Sequence, residues 1–144
     1  MNRRKSVPYR EEWTVERIRV LIADDHKGIL DDIRGLLEPE FDVVDAVEDG
    51  QALISAADTF QPDVIVTDIS MPHMNGIEAA RLIIQKNPAS RIILLTSYND
   101  STLLEQGLSA GALGYVLKLK AHEELLLAIH NALEDNRFIS PELI

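Results

Sequence analysis

From residue 18 onward, short apolar runs alternate with longer segments of helical period, and this alternation constrains the fold more than any single motif does. The runs IRVLIA (18–23), DVVDAV (42–47), DVIVTD (63–68), RIILLT (91–96) and LGYVLK (113–118) have the length and β-branched content of strands. The first, third and fourth are almost continuously apolar, as strands covered on both faces must be, whereas the second is mixed and reads as an edge. Residues 26–38 place Ile29, Ile33, Leu36 and Leu37 on one helical face, and residues 76–86 place Ile77, Ala80, Leu82 and Ile84 on another. Residues 50–60, 101–110 and 121–135 supply three more helices. Asp49 is placed to cap the helix at 50, and Asn75 with Glu78 three residues on forms a capping-box variant. Strand-then-helix units in series predict an α/β fold: a doubly wound parallel sheet of flavodoxin-like (βα)5 type, strand order 2-1-3-4-5.

Composition narrows the partners. A chain of 144 residues that is 46% hydrophobic fits one domain with one core. Its formal net charge of −10 disfavours direct contact with nucleic acid or an anionic membrane and favours cations or basic protein patches. The lack of cysteine removes disulfides, thiol catalysis and zinc thiolate sites and suits a reducing cytoplasm. The basic start has no apolar stretch behind it, and no run approaches the roughly 20 apolar residues of a membrane span, so neither a secretory leader nor a membrane partner is expected. Residues 1–17 hold five basic and three acidic side chains on an otherwise acidic chain and read as a mobile N-terminal extension.

The chemistry lies at the strand ends. Ligands of open parallel sheets bind beyond the carboxyl ends of the strands, near the point where strand order reverses. Strand one ends in Asp24 and Asp25 and strand three in Asp68, so the chosen order brings these carboxylates to one edge. Neighbouring carboxylates raise one another's pKa unless a cation or donors hold them ionised. Magnesium suits such an all-oxygen set together with a phosphate. Calcium is the lesser choice because no calcium-loop motif is present. The simpler reading of the pair is that Asp25 caps the helix beginning near His26. Strands four and five bring Thr96, Ser97 and Lys118 to the same rim, where a hydroxyl and an ammonium can neutralise the oxygens of a transferring phosphoryl group. One carboxylate would then be the nucleophile of an aspartyl phosphate.

The pieces ADD (23–25), TDISMPHMNGIE (67–78), LLTSY (94–98) and GALGYVLK (111–118), in that order and spacing, resemble a two-component response-regulator receiver domain over residues 18–137. TDISMPHMNGIEAARLI and RFISPEL resemble the NarL/FixJ (LuxR-type) subfamily, whose members carry a DNA-binding helix-turn-helix domain after the receiver. The resemblance implies Asp68 as phosphoacceptor, Asp25 as direct Mg2+ ligand, Asp24 acting largely through water, and the backbone carbonyl of Ser70 completing the protein's share. It implies that Lys118 contacts the phosphoryl group, that Thr96 moves to hydrogen-bond it, and that Tyr115 changes rotamer as the second half of the switch. The implied partners are a sensor histidine kinase, a second copy of the chain on phosphorylation, and DNA only through a domain outside this sequence. Met71 and Pro72 would shape the loop after Asp68, with Gly76 allowing a tight turn into the next helix. His26 falls at the pocket rim, and His73 reads as a surface residue.

Residues 138–144 read as the start of a linker to that further domain, and a stand-alone receiver is the alternative. Leu119 replaces the proline usual after the lysine, and Lys120 competes for its role, although the Tyr-x-x-Lys spacing favours Lys118. An aspartyl phosphatase of the haloacid-dehalogenase type needs a second Asp two residues after the nucleophile, where this chain has Ser70. Nucleotide-binding domains need a G-x-G-x-x-G or P-loop that is missing. A receiver-like scaffold that is never phosphorylated is the remaining alternative.

Overall fold

The computed structural model describes residues 16–143. In chain order the elements are β1 (Arg19–Ala23), α1 (Lys27–Leu37), β2 (Asp42–Val47), α2 (Gly50–Phe60), β3 (Val64–Asp68), α3 (Gly76–Lys86), β4 (Ile92–Thr96), α4 (Ser101–Ser109), β5 (Gly114–Leu117), α5 (Ala121–Leu133) and β6 (Phe138–Ile139). All strand pairs are parallel, in the order β2-β1-β3-β4-β5-β6. This is the predicted doubly wound sheet with β2 at one edge, extended by a strand that the sequence reading assigned to the linker. Phe138 and Ile139 pair with Gly114 and Tyr115, so the chain continues the sheet at residues 138–139 instead of leaving it.

The period of two along each strand divides the core. Leu21, Ala23, Ile65, Ile92, Leu94 and Tyr115 face α2, α3 and α4, while Val20, Ile22, Val64, Val66, Ile93, Leu95 and Val116 face α1 and α5. Strands apolar on both sides can lie only between two helical layers. The α1 stripe centres on Leu30, Ile33 and Leu37, with Ile29 and Leu36 only partly covered at its margins. In α3 the buried face is Ile77, Ala79, Ala80 and Ile83, and Leu82 is exposed. Alanines at 79 and 80 let α3 lie close to the sheet, which rotates Leu82 outward.

Both predicted caps form: Asp49 accepts from the Ala52 N–H at 2.8 Å and Asn75 from the Glu78 N–H at 2.9 Å. The predicted mobile extension lies outside the described residues save Glu16 and Arg17, and Arg17 donates to the carbonyls of Glu38 and Glu40 beyond α1.

Gly76 is needed for a reason other than the turn. Its φ is not positive, but a Cβ there would stand 2.0 Å from the carbonyl oxygen of Asp68. The start of α3 therefore rests directly on the backbone of the site. Gly76→Ala should cost about 2 kcal/mol or more, because backbone cannot yield as a flexible side chain does. Gly28→Ala, on α1 with nothing within 4 Å of its Cβ, should be neutral or stabilising. Thermal unfolding of the two variants by circular dichroism checks the contrast.

Candidate functional site

The ends of β1, β3, β4 and β5 bring together Asp24, Asp68, Thr96 and Lys118. Lys118 Nζ lies 2.8 Å from Asp24 Oδ2 and 3.1 Å from Asp68 Oδ2, so one ammonium bridges two buried carboxylates. Lys120 points elsewhere, to Glu123 and Glu142. The two lysines part because residues 118–120 form a single 3-10 turn, on which Leu119 stands 91% exposed.

Burial pushes the Asp68 carboxyl above its ordinary value, and the charge of Asp24 adds to the shift; Lys118 and the Ser70 backbone N–H oppose it. For Lys118, burial pulls downward, but Asp24 and Asp68 together outweigh it and hold the ammonium above its ordinary value. The lysine is thus fixed in its charged form while the carboxylate beside it remains under-compensated.

Asp25 does not cap α1. The N-cap is His26, which has no side-chain cap, and Asp25 instead stands at the rim with His26 Nδ1 3.0 Å from its Oδ1. The same ring nitrogen lies 3.3 Å from Asp24 Oδ1, which also accepts the His26 N–H at 2.9 Å. Ligand atoms of Asp24, Asp25 and His26 lie within 4.8 Å of one another, a group able to hold a metal ion. The carboxylate oxygens, one buried and one facing solvent, suit a hard divalent cation that retains water. Ser70 is exposed two residues beyond Asp68.

Thr96 is buried at the end of β4, and its hydroxyl accepts from the Tyr98 N–H at 3.0 Å. Tyr115 is fully buried, with its hydroxyl in reach of Thr96. Burial first, then the charge of Asp100, pushes that hydroxyl up to about 12, with Thr96 opposing. His73, at φ 69°, lies on the surface with Nδ1 3.4 Å from Asp49 Oδ2.

A family profile described as "Response regulator receiver domain" matches residues 20–130. The chain belongs to that family. Within the receiver domains it falls with the NarL/FixJ (LuxR-type) group. A two-component response regulator of the LuxR family from Aurantimonas sp. SI85-9A1 superposes with a TM-score of 0.85 at 33% identity, covering 89% of this chain and 93% of that one. The isolated REC domain of RcsB from Salmonella enterica serovar Typhimurium, solved with the phosphomimetic BeF3−, gives 0.81 at 32% identity, covering 89% and 96%. The transcriptional regulatory protein DegU of Brevibacillus brevis is 33% identical over 135 residues, 92% of this chain but 57% of its own length. The chain therefore spans little more than half of that curated relative. The match is to a phosphoacceptor receiver domain.

The sequence reading missed the contacts of the C-terminal segment. Ser140 is buried, accepts the Leu117 N–H at 3.0 Å and donates to Glu124, and Asn99 Nδ2 donates to the Glu142 carbonyl at 3.3 Å. The aromatic and β-branched pair Phe138–Ile139 after the turn-forming Glu-Asp-Asn was the available signal.

The electrostatics predict opposite stability effects at two site residues. A carboxyl raised in the folded state destabilises the fold at pH values where it is ionised, so Asp68→Asn should raise Tm at pH 7 in chelator. That gain should shrink as the pH falls toward the ordinary carboxylate value, where the wild type takes up the proton. Lys118→Met, which leaves two buried carboxylates facing each other, should cost about 3 kcal/mol at pH 7. Thermal melts across pH test both signs.

Proposed function

We propose that Asp68 is the phosphoacceptor of a two-component switch and that a sensor histidine kinase is its phosphodonor. The observation that carries this reading is the Lys118 bridge: one fixed ammonium reaches the Asp68 carboxylate at the carboxyl end of β3 and Asp24 of the acidic pair beside it. A carboxylate oxygen of Asp68 attacks the phosphorus of a phosphohistidine or a small acyl phosphate. The P–N or P–O bond of the donor breaks, its electron pair leaves with the donor, and a P–O bond to Asp68 forms. Lys118 gives up part of its contact with the carboxylate and neutralises a phosphoryl oxygen, and the Thr96 hydroxyl turns to donate to another.

Asp25, Asp68 and the backbone carbonyl of Ser70 would hold magnesium directly, with Asp24 acting largely through water. Bound there, the metal supplies positive charge to the phosphoryl oxygens. A groove of about 310 Å3 between α1 and α5 abuts the site and is lined by Ile29, Leu36, Ser97, Lys118 and Leu119, which supports docking of a protein donor beside the lysine.

The output we propose is transcriptional, through a DNA-binding domain joined after this chain, with dimerisation following phosphorylation. Support comes from relatives called transcriptional regulatory proteins and from the RcsB–DNA complex among the similar structures. The acidic receiver itself does not bind nucleic acid in this reading.

Intact-protein mass after incubation with acetyl phosphate, with and without magnesium, tests the switch. Wild type should gain the mass of one phosphoryl group only with magnesium, and Asp68→Asn should gain none. An adduct that persists in Asp68→Asn, or no adduct from acetyl phosphate and none from a kinase, would reject it.

A further inference from the structure

Residues 138–143 touch the three structures that flank the site. The Phe138 and Ser140 N–H groups donate to the carbonyls of Leu113 and Tyr115, both at 2.9 Å, which seats the segment on β5. The buried Ser140 hydroxyl locks it there between the Leu117 N–H and the Glu124 carboxylate. Glu142 Oε2 reaches Lys120 Nζ at 3.4 Å, two residues after Lys118. The Glu142 carbonyl accepts from Asn99, three residues after Thr96 in the loop between β4 and α4. Leu143 packs against the apolar cluster that contains Tyr115.

We propose that residues 138–143 form a latch, closed in the unmodified protein and released when the loop after β4 rearranges. The inference rests on the phosphoacceptor reading above. Thr96 is the hinge of the coupling, because the same hydroxyl that would meet a phosphoryl group on Asp68 now accepts the Tyr98 N–H and so holds the loop carrying Asn99. Turning that hydroxyl toward Asp68 withdraws the acceptor, frees the loop and takes Asn99 from the Glu142 carbonyl. Beyond the Ser140 anchor and the Leu143 contact the hold is weak: β6 is two residues long and lies at an edge, and the Lys120–Glu142 pair is partly solvated. A segment with so few backbone bonds opens at the low end of the local stability range, where a small bias changes its population greatly. The closed latch holds residues 138–143 on the sheet edge, and the open latch lets them move.

Amide hydrogen exchange at Phe138, Ser140 and Leu143, followed by mass spectrometry with acetyl phosphate and magnesium, tests this in wild type, Asn99→Ala and Asp68→Asn. The phosphoryl adduct is read in the same samples. Exchange in the wild type should rise roughly tenfold or more on phosphorylation, Asn99→Ala should exchange faster before phosphorylation and respond less, and Asp68→Asn should not respond. A full adduct with unchanged exchange at 138–143 would overturn the latch while leaving the phosphoacceptor reading intact. So would an Asn99→Ala variant that matches the wild type in both states. No adduct from acetyl phosphate and none from a kinase would overturn both.

Discussion

Lys118 holds together a group of charges that would otherwise drive its own strands apart. Asp24 and Asp68 end adjacent parallel strands, are buried, and face each other across the carboxyl edge of the sheet. Without a cation between them, one would have to take up a proton or the edge would have to open to water. The ammonium sits 2.8 and 3.1 Å from the two carboxylates, and its own charge is secured by them against the pull of burial. A phosphoryl group or a metal ion that arrives at this edge competes for contacts already made, so the site is a set of exchangeable ionic partners on a fixed frame.

The frame is fixed by backbone. Gly76 brings α3 against the carbonyl of Asp68, its N–H donates to the Ile69 carbonyl at 2.8 Å, and the buried Thr67 hydroxyl donates to the Asp68 carbonyl at 2.9 Å. Asp68 thus cannot shift to relieve its raised pKa, and the side chains around it must move instead. Those placed to do so are Thr96, whose hydroxyl accepts the Tyr98 N–H, and the buried Tyr115, whose hydroxyl interacts with Thr96. Gly107 lets α4 lie close enough for a Cβ there to fall 3.1 Å from the Tyr115 ring, so any rotation of the ring must involve α4.

The sheet was legible in the sequence because strands buried on both faces leave continuous apolar runs, and the residues at their ends then follow from topology. Asp24, Asp68, Thr96 and Lys118 could be placed at one edge before any coordinates, since parallel strands all deliver their last residues to the same side. Side-chain partners across the edge were not legible. That Lys118 would bridge two carboxylates, or that His26 would reach both Asp24 and Asp25, depends on rotamers and on the 3-10 turn at 118–120. Gly76 was read as a turn residue because a close approach to a distant carbonyl leaves no local trace. The helix faces were read one residue off at Leu82, where small neighbours set the rotation. β6 escaped because two residues carry too little pattern, and its anchor is a serine that sequence reading takes for a loop residue.

The most direct test of the central claim is chemical trapping of the modified residue. Borohydride reduction of the acetyl phosphate-treated protein converts an aspartyl phosphate to homoserine, which tandem mass spectrometry then locates. The account predicts homoserine at position 68 and nowhere else. Homoserine at position 24 or 25 would contradict it, because the Lys118 bridge would then be serving a different nucleophile.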